Sequence, residues 1–437
     1  MSEASLFYTD YTTVEQINQL SEINREPSWI TERRMSYFTQ FNELPIDQDT
    51  LFYKYTNFKN FEPSSLKPSW SLSKNEIALV KDEHQAMTGS MLIENEIDLQ
   101  IELPNDLQEK GVMLGTLANF VKADEELARR IVEEADKLAL GFDKLGALAS
   151  AFATKTLILY IPKNVVVEPP IVRSIHLLKE EIANYEEFII YLEPNSSVTF
   201  VEVLNSTDHS GQSLYIRQVI KVLKDNSRLK YLQVQNLSEN TIYISSSTVI
   251  LDRYAKLISA THLQGGLMTR LNSEVDLSGV GAEAYDLYAK FGNNKQRFDI
   301  KSQITHNAPE TIGQTHARTV MMGKAESILR GLIVIPEIGV NADSWLTSRG
   351  LTIGKGKINA VPSLKIYQND VKAAHAASVE PINKELIFYL ESRGITEANA
   401  KEMLIKGYFE YILKVLDDEV LANISRMYLE KKWLAVK

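Results

Sequence analysis

The sequence predicts a mainly β protein whose β core lies between an N-terminal and a C-terminal helical region. Apolar residues recur at helical spacing in the first third of the chain, short β-rich runs fill residues 156–366, and helical spacing returns after Pro381. The chain has 437 residues, 44% hydrophobic and 24% charged, which suffices for two or three folding units. We expect a mainly helical N-terminal region at 1–154, a β core at 155–378 and a C-terminal helical domain at 379–437.

Three helices are predicted in the N-terminal region. Two lie within residues 13–41, where apolar side chains such as Val14 and Ile17 recur at helical spacing, and Pro27 suits the first position of the second helix. The third covers residues 123–140 and has three acidic residues at positions 124–126, which favour its start by opposing the helix dipole.

The middle of the chain has the pattern of successive β-strands. Residues 297–304 alternate polar and apolar side chains, which predicts a strand with one buried face. Residues 224–227 and 292–294 are rich in Asn, Asp and Gly and are predicted to form turns. Because no long helix interrupts roughly 200 residues, a sheet wound through helices is excluded, and a sandwich, a barrel or a solenoid remains.

The C-terminal domain is predicted to contain helices separated by clear capping residues. Leu386 and Ile387 belong to an apolar stripe, Gly394 ends that helix, and Thr396 caps the next one. A final amphipathic helix is expected in residues 417–433.

Composition excludes several functions. The chain has no cysteine, so it forms no disulfide, thiolate nucleophile or iron–sulfur cluster with its own sulfurs. Its net charge of −10 argues against nucleic acid as a partner. The N-terminus does not resemble a secretory signal, and residues 145–162, the most apolar stretch, are too short and too polar to span a bilayer. We expect a cytoplasmic protein that does not bind membranes.

Few motifs point to chemistry. Gly279-Val280-Gly281 and Gly354-Lys355-Gly356 are predicted to be turns between strands, since neither has the spacing of a phosphate-binding loop. Of the seven histidines, none forms a closely spaced metal-binding pair. His375 stands out because it lies among small residues, in a segment expected between the last strand and the first C-terminal helix.

Several segments resemble the SufB/SufD family of iron–sulfur cluster assembly proteins. The resemblance covers most of the chain and is carried by residues 369–379, residues 386–395 with Ala400, Met403, Leu404 and Gly407, then Thr305-His306-Asn307-Ala308-Pro309, Gly331, residues 362–366, and Glu26-Pro27-Ser28-Trp29 with Arg33 or Arg34. It implies a right-handed parallel β-helix core flanked by N-terminal and C-terminal helical regions.

The resemblance also implies a function. Within the family, the SufB branch carries a cysteine thought to hold the nascent cluster, and the SufD branch carries a histidine in the equivalent segment. With His375 and no cysteine, this chain is similar to the SufD branch. A non-catalytic subunit is implied, which pairs with SufB, binds the SufC ATPase through its C-terminal helices, and binds no cluster alone. A nascent iron–sulfur cluster shared with the partner would meet His375 at the interface.

The expected SufC contact lies around four aromatic residues of the C-terminal helices, Phe388, Tyr389, Tyr408 and Phe409. Some of them should be exposed as interface anchors, although a core position for all four is an open alternative. An open solenoid presents strand edges, so a homodimer of the isolated chain is also left open.

A second function belongs to another class, a β-solenoid carbohydrate-active enzyme with two carboxylates across a groove. Asp276, Glu283, Asp286 and Asp299 are available for that role. Acidic residues on strands usually form the solvated face, and an exported enzyme would be expected to carry a signal sequence.

Overall fold

The computed structural model describes residues 6–46, 58, 61–72, 90–96, 98–208 and 210–436. It confirms a mainly β fold, a β-solenoid of about eight turns flanked by N- and C-terminal helices. His84 and His209 lie outside the described residues, as does much of the mixed aromatic region that precedes residue 103.

The predicted helices are present near their expected positions, and the N-terminal region contains three further helices, Asn105–Glu109, Leu117–Ala123 and Lys144–Ala151, that were not predicted. Thr13, Asp124 and Thr396 each cap a helix through the side-chain oxygen, and Gly394 adopts a φ of 85° after the first C-terminal helix. Pro27 lies one position earlier than expected, at the N-cap. The helices are α1 (Val14–Asn24), α2 (Ser28–Glu43), α3 (Asn105–Glu109), α4 (Leu117–Ala123), α5 (Glu125–Ala139), α6 (Lys144–Ala151), α7 (Lys384–Glu391), α8 (Glu397–Leu416) and α9 (Glu419–Val436).

The strands alternate between two 10-stranded sheets, so that odd-numbered strands from β5 onward build one sheet and even-numbered strands the other. The pairings are parallel except for β2 with β3 and β4 with β5. The strands are β1 (Lys67–Pro68), β2 (Ser90–Glu94), β3 (Leu99–Glu102), β4 (Met113–Thr116), β5 (Lys155–Ile161), β6 (Val166–Leu177), β7 (Ile182–Leu192), β8 (Ser197–Ser206), β9 (Ser213–Leu223), β10 (Arg228–Asn236), β11 (Thr241–Leu251), β12 (Lys256–Leu263), β13 (Met268–Leu277), β14 (Glu283–Gly292), β15 (Arg297–Thr305), β16 (Ile312–Met321), β17 (Glu326–Ile335), β18 (Asp343–Thr352), β19 (Lys357–Ile366) and β20 (Lys372–Pro381).

Residues in the left-handed backbone conformation form the sharp corners between the two sheets. Asn164, Asn195 and Asn226 occupy equivalent corners with φ of 63°, 60° and 56°. Their side chains stack in a ladder, because Asn195 Nδ2 donates to Asn164 Oδ1 at 2.9 Å and Asn226 Nδ2 donates to Asn195 Oδ1 at 2.9 Å. The predicted turn at 224–227 is confirmed, as are the turns at Gly279 to Gly281 and at Gly354. The turn predicted at 292–294 begins one residue later, because Gly292 is the last residue of β14.

Helices cover both outer faces of the solenoid. Apolar residues of α1, α2, α5 and α6 pack on the outer face of the odd-numbered sheet, and α8 and α9 pack on the even-numbered sheet. A separate apolar cluster fills the lumen between the sheets in the first turns. None of the helices in the described part of the chain combines the length and apolar composition of a membrane span.

One expected domain boundary coincides with the start of a strand, and the other falls inside a strand. Residue 155 is where β5 begins, although the region before it also contributes β1 to β4. The boundary at 378/379 falls within β20, which continues to Pro381. The domain division itself stays a prediction.

Candidate functional site at the open end of the solenoid

The last solenoid turn is open on one side. β19 and β20 are the terminal strands of their sheets, and each pairs with a preceding strand along one edge. Most residues of β20 are exposed, unlike the buried strands of the middle turns. Both strands therefore present unpaired backbone N–H and C=O groups to the outside.

His375 lies on the lumen side of this open turn. In the parallel register it pairs with Leu346 of β18, which in turn pairs with the buried Thr315 of β16, so all three share the inward face. The expected position between the last strand and the first C-terminal helix is wrong, because residues 372–381 continue the sheet as β20. The imidazole is exposed since β20 is the last strand described in its sheet.

An apolar layer closes the lumen behind His375. Ile333, Ile335 and Leu346 are buried together, and Leu346 reaches across to Gly331. A Cβ at Gly331 would lie 2.1 Å from Leu346 Cδ1, so a larger residue there would displace the Leu346 side chain from its present position. His375 therefore lies at the open end of the lumen, and this apolar layer separates it from the polar lumen of earlier turns.

The described residues give His375 no companions for a metal site. The described residues contain no group of three or more His, Cys, Asp or Glu side chains placed to hold a metal ion. A ligand set that included His375 would need donors from another molecule, and thiolate sulfur is the donor that iron–sulfur clusters use most.

The four aromatic residues of the C-terminal helices separate into two pairs. Phe388 is 72% exposed and Tyr389 is 53% exposed, both on α7. Phe409 is fully buried against Phe291 of β14, with ring centroids 6.1 Å apart, and Tyr408 is half-buried. Phe409 is therefore a core residue, and the exposed part of the expected surface is confined to α7.

The N-terminal residues that carry the family resemblance have structural contacts. Arg34 donates to both carboxylate oxygens of Glu26, at 2.8 and 2.7 Å, and to the carbonyl of Ala151. Arg33 bridges Asp136 and Glu187, each at 2.7 Å. Burial alone would raise the pKa of Glu187, but Arg33 brings it below its ordinary value. These contacts join α2 to α5, α6 and the outer face of the odd-numbered sheet.

Charged residues inside the first turns are a feature that the sequence prediction missed. Glu202 accepts from Arg173 at 2.7 Å and from Arg217 at 2.6 Å, and Arg217 also donates to Glu186 at 3.0 Å. Burial opposes ionisation of Glu202, but the two arginines, Arg217 most of all, lower its pKa to about 2. Charged residues at the inward positions of otherwise apolar strands were the sequence signal for this network.

The acidic residues considered for a carbohydrate-active enzyme have other partners. Asp286 is buried and accepts from Tyr288 at 2.6 Å and from Ser302 at 2.8 Å, and the buried Asp299 pairs with Arg330 at 2.7 Å. The expectation that strand acids are solvated is wrong for these two residues. They are not exposed to a polysaccharide.

The fold defines a class, a two-sheeted parallel β-solenoid with N-terminal and C-terminal helices on its outer faces and an open last turn. Residues 176–408 match the model of the SufBD core domain of the SUF system of FeS cluster assembly, and residues 11–172 match the SufBD N-terminal region. The chain belongs to the SufBD family. This membership supports a role in iron–sulfur cluster assembly and does not favour the carbohydrate-active alternative.

Curated relatives are similar along nearly the whole chain. The iron–sulfur cluster assembly SufBD family protein of Staphylococcus saprophyticus is 22% identical over 448 residues, covering 97% of this chain and 94% of the relative. Those of Staphylococcus epidermidis and Staphylococcus haemolyticus are each 23% identical over 444 residues, with the same coverage.

Proposed function

We propose that this chain is the SufD-type, non-catalytic subunit of a cytoplasmic scaffold that assembles iron–sulfur clusters. The observation that carries the proposal is an open solenoid turn with an exposed histidine in a chain without cysteine. A chain of this kind offers a surface and one imidazole to a cluster, and it needs a partner for thiolates.

The proposed partner at the open turn is SufB. The free edges of β19 and β20 can accept strands from another chain, which is a common mode of protein recognition. Exposed residues on both strands, together with the apolar layer around Leu346, would be covered by such pairing. The same edges allow a homodimer when the isolated chain has no SufB.

Pairing would place His375 at the interface. Iron–sulfur clusters are held mainly by cysteine sulfur, and imidazole replaces it at some irons, so a SufB cysteine and His375 would form a mixed ligand set. A mixed set suits a nascent cluster that is later passed on. His375 has a second possible role in this proposal, in which it does not bind iron. The imidazole would then donate a hydrogen bond to the partner thiolate and tune it.

The proposed contact with the SufC ATPase is on α7. Phe388 and Tyr389 are exposed, with Leu386 47% exposed on the same helix. Arg393 lies over the Tyr389 ring, its Cζ 5.2 Å from the centroid, which adds a cation to this aromatic surface. Exposed aromatic and arginine side chains are typical anchors of protein interfaces.

Co-purification tests the assembly. When the chain is co-expressed with its SufB and SufC counterparts, we expect the three proteins to elute as one complex whose mass is measured with and without nucleotide. Elution of the chain separately from both counterparts would contradict the proposal, as would carbohydrate-cleaving activity of the isolated chain.

Anaerobic reconstitution tests the absence of an autonomous cluster site. The purified chain, incubated with ferrous iron and sulfide, is expected to show no stoichiometric cluster absorption after desalting, because one imidazole is an insufficient ligand set. A stoichiometric cluster on the isolated chain would refute the proposed division of roles.

A further inference from the structure

Two arginines of like charge lie side by side on the outer face of the even-numbered sheet. Arg318 of β16 and Arg349 of β18 are direct partners in the parallel register. Neighbouring strands are separated by about 4.8 Å, and like charges at directly paired positions destabilise a sheet. Such an arrangement calls for a compensating negative charge.

The described residues do not supply that charge as an ion pair. Within the described part of the chain, neither guanidinium has a carboxylate at salt-bridge distance, and the hydrogen bond of Arg318 goes to the carbonyl of the adjacent Ala317 at 3.3 Å. Arg318 is only 6% exposed, whereas Arg349 is exposed. A buried guanidinium without a carboxylate is costly, because burial disfavours the charged form.

Aromatic residues of α8 form the wall of this position. Arg318 Cζ lies 4.2 Å from the Tyr411 ring centroid and 5.8 Å from that of Tyr408. The Tyr408 hydroxyl is buried and has no hydrogen-bond partner among the described residues. Burial raises the pKa of the Tyr408 phenol most. The charge of Arg318 lowers this pKa, that of Glu380 raises it, and that of Arg349 lowers it, by smaller amounts. The hydroxyl is therefore a neutral donor beside the two arginines.

His316, which lies next to Tyr411, adds no positive charge to that of the two arginines. His316 contacts Tyr411 edge to face, and its two ring nitrogens are hydrogen-bonded to Thr347 at 2.6 Å and to Gln314 at 3.0 Å. Burial, and after it the charge of Arg318, lowers the pKa of His316 to about 4. The imidazole is neutral at pH 7, so the positive charge belongs to the two arginines.

We propose that Arg318, Arg349 and the Tyr408 hydroxyl form a binding site for a phosphate group between the solenoid and α8. Two guanidinium groups and a phenol provide several N–H and O–H donors, and arginine pairs readily with phosphate oxygens in bidentate fashion. A dianion matches two cations better than a carboxylate does, although the charge of Glu380 acts against an anion at this position. The site is independent of the proposed subunit role.

The test measures binding of inorganic phosphate to the full-length chain. Calorimetric titration and the melting temperature are compared between sodium phosphate and sodium chloride at equal ionic strength. We expect phosphate to bind and to raise the melting temperature of the unsubstituted protein, because a ligand that binds only the folded state stabilises it.

Substituted chains test whether phosphate binds at Arg349 and Tyr408. Arg349→Gln is expected to weaken phosphate binding at least about tenfold, in line with the loss of a charge-assisted contact. Tyr408→Phe should also weaken it while retaining the ring, and without phosphate its melting temperature should not fall, since the lost hydroxyl has no partner. Arg228→Gln, at an exposed arginine of β10, is the matched control and should bind like the unsubstituted chain.

Three results would overturn the proposal. They are an unsubstituted chain that does not bind phosphate, equal binding by the unsubstituted and Arg349→Gln chains, and a loss in Arg228→Gln as large as that in Arg349→Gln. A parallel titration with succinate covers the carboxylate alternative. Binding of succinate through Arg349, without binding of phosphate, would show that the site takes carboxylates and would refute the phosphate assignment.

Discussion

Replacing both Phe388 and Tyr389 by alanine is expected to weaken SufC binding without affecting folding. Their exposed fractions of 72% and 53% mean that truncation removes little buried area. Surface substitutions of this kind change the free energy of unfolding by no more than about 0.5 kcal/mol. If each ring is an interface anchor that contributes about 1 to 2 kcal/mol, the pair contributes about 2 to 4 kcal/mol, which is a ~30- to ~700-fold loss of affinity.

The same helices offer a contrasting control. Phe409→Ala removes a fully buried ring that contacts Phe291, and we expect it to lower the free energy of unfolding by about 3 to 5 kcal/mol. Tyr254→Ala removes an aromatic ring that is 62% exposed at a solenoid corner, away from α7. It should affect neither stability nor SufC binding.

Calorimetric titration of SufC into each purified variant measures the affinity, and thermal melting of the same preparation measures stability. Point substitutions are preferable to deletion of the C-terminal helices, because α8 and α9 cover apolar residues of the even-numbered sheet. The reasoning would be refuted if the double variant melted normally and bound SufC with undiminished affinity.

Three further predictions concern His375, the lumen charges and acid sensitivity. His375→Ala should leave folding and SufB pairing intact while cluster yield on the reconstituted complex falls ~10- to ~100-fold; an unchanged yield would leave His375 without a role in the cluster. Glu202→Gln removes a charge shared by two buried arginines and should lower the free energy of unfolding in urea by about 3 to 5 kcal/mol, against less than about 1 kcal/mol for the partly exposed Glu283→Gln. Burial lowers the pKa of His262 from 6.5 to about 4, so the unfolded chain binds a proton that the folded chain refuses, and stability should fall as pH drops through this interval. His262→Leu should lose that part of the pH dependence of the melting temperature; an unchanged pH profile would contradict this assignment.

Much of the fold could be predicted from local patterns. The caps at Thr13, Asp124 and Thr396 and the alternation in β15 are encoded by adjacent residues. The sequence pattern alone does not reveal the solenoid repeat, because the length of the repeat varies, from 31 residues between the corners at Asn164 and Asn195 to 27 between those at Tyr254 and Gly281. A repeat of changing length and changing corner residue leaves no fixed period in the sequence.

The candidate site was only partly predictable. His375 stands out as a candidate ligand from the sequence alone. The inward direction of its side chain depends on the register with Leu346, which is set by strands distant in sequence. The burial of Phe409 had a local signal, since Ile405, Phe409 and Ile412 lie at helical spacing on one buried face of α8. The like-charged pair of Arg318 and Arg349 is 31 residues apart and becomes visible only when the turns are stacked.

The first and last turns of the solenoid differ in how their strands are paired and covered. At the first turns, β2 and β3 extend the even-numbered sheet, helices cover the other sheet, and Arg173 and Arg217 join several strands through buried carboxylates. These contacts fix the register of the first turns. At the last turn, Leu346 closes the lumen, and the outer edges of β19 and β20 stay unpaired within the described chain. The edges are therefore available without exposing the polar interior. In the proposed scaffold role, such a molecule would lend a rigid edge and His375 to a partner that supplies the thiolates, while its own fold remains unchanged.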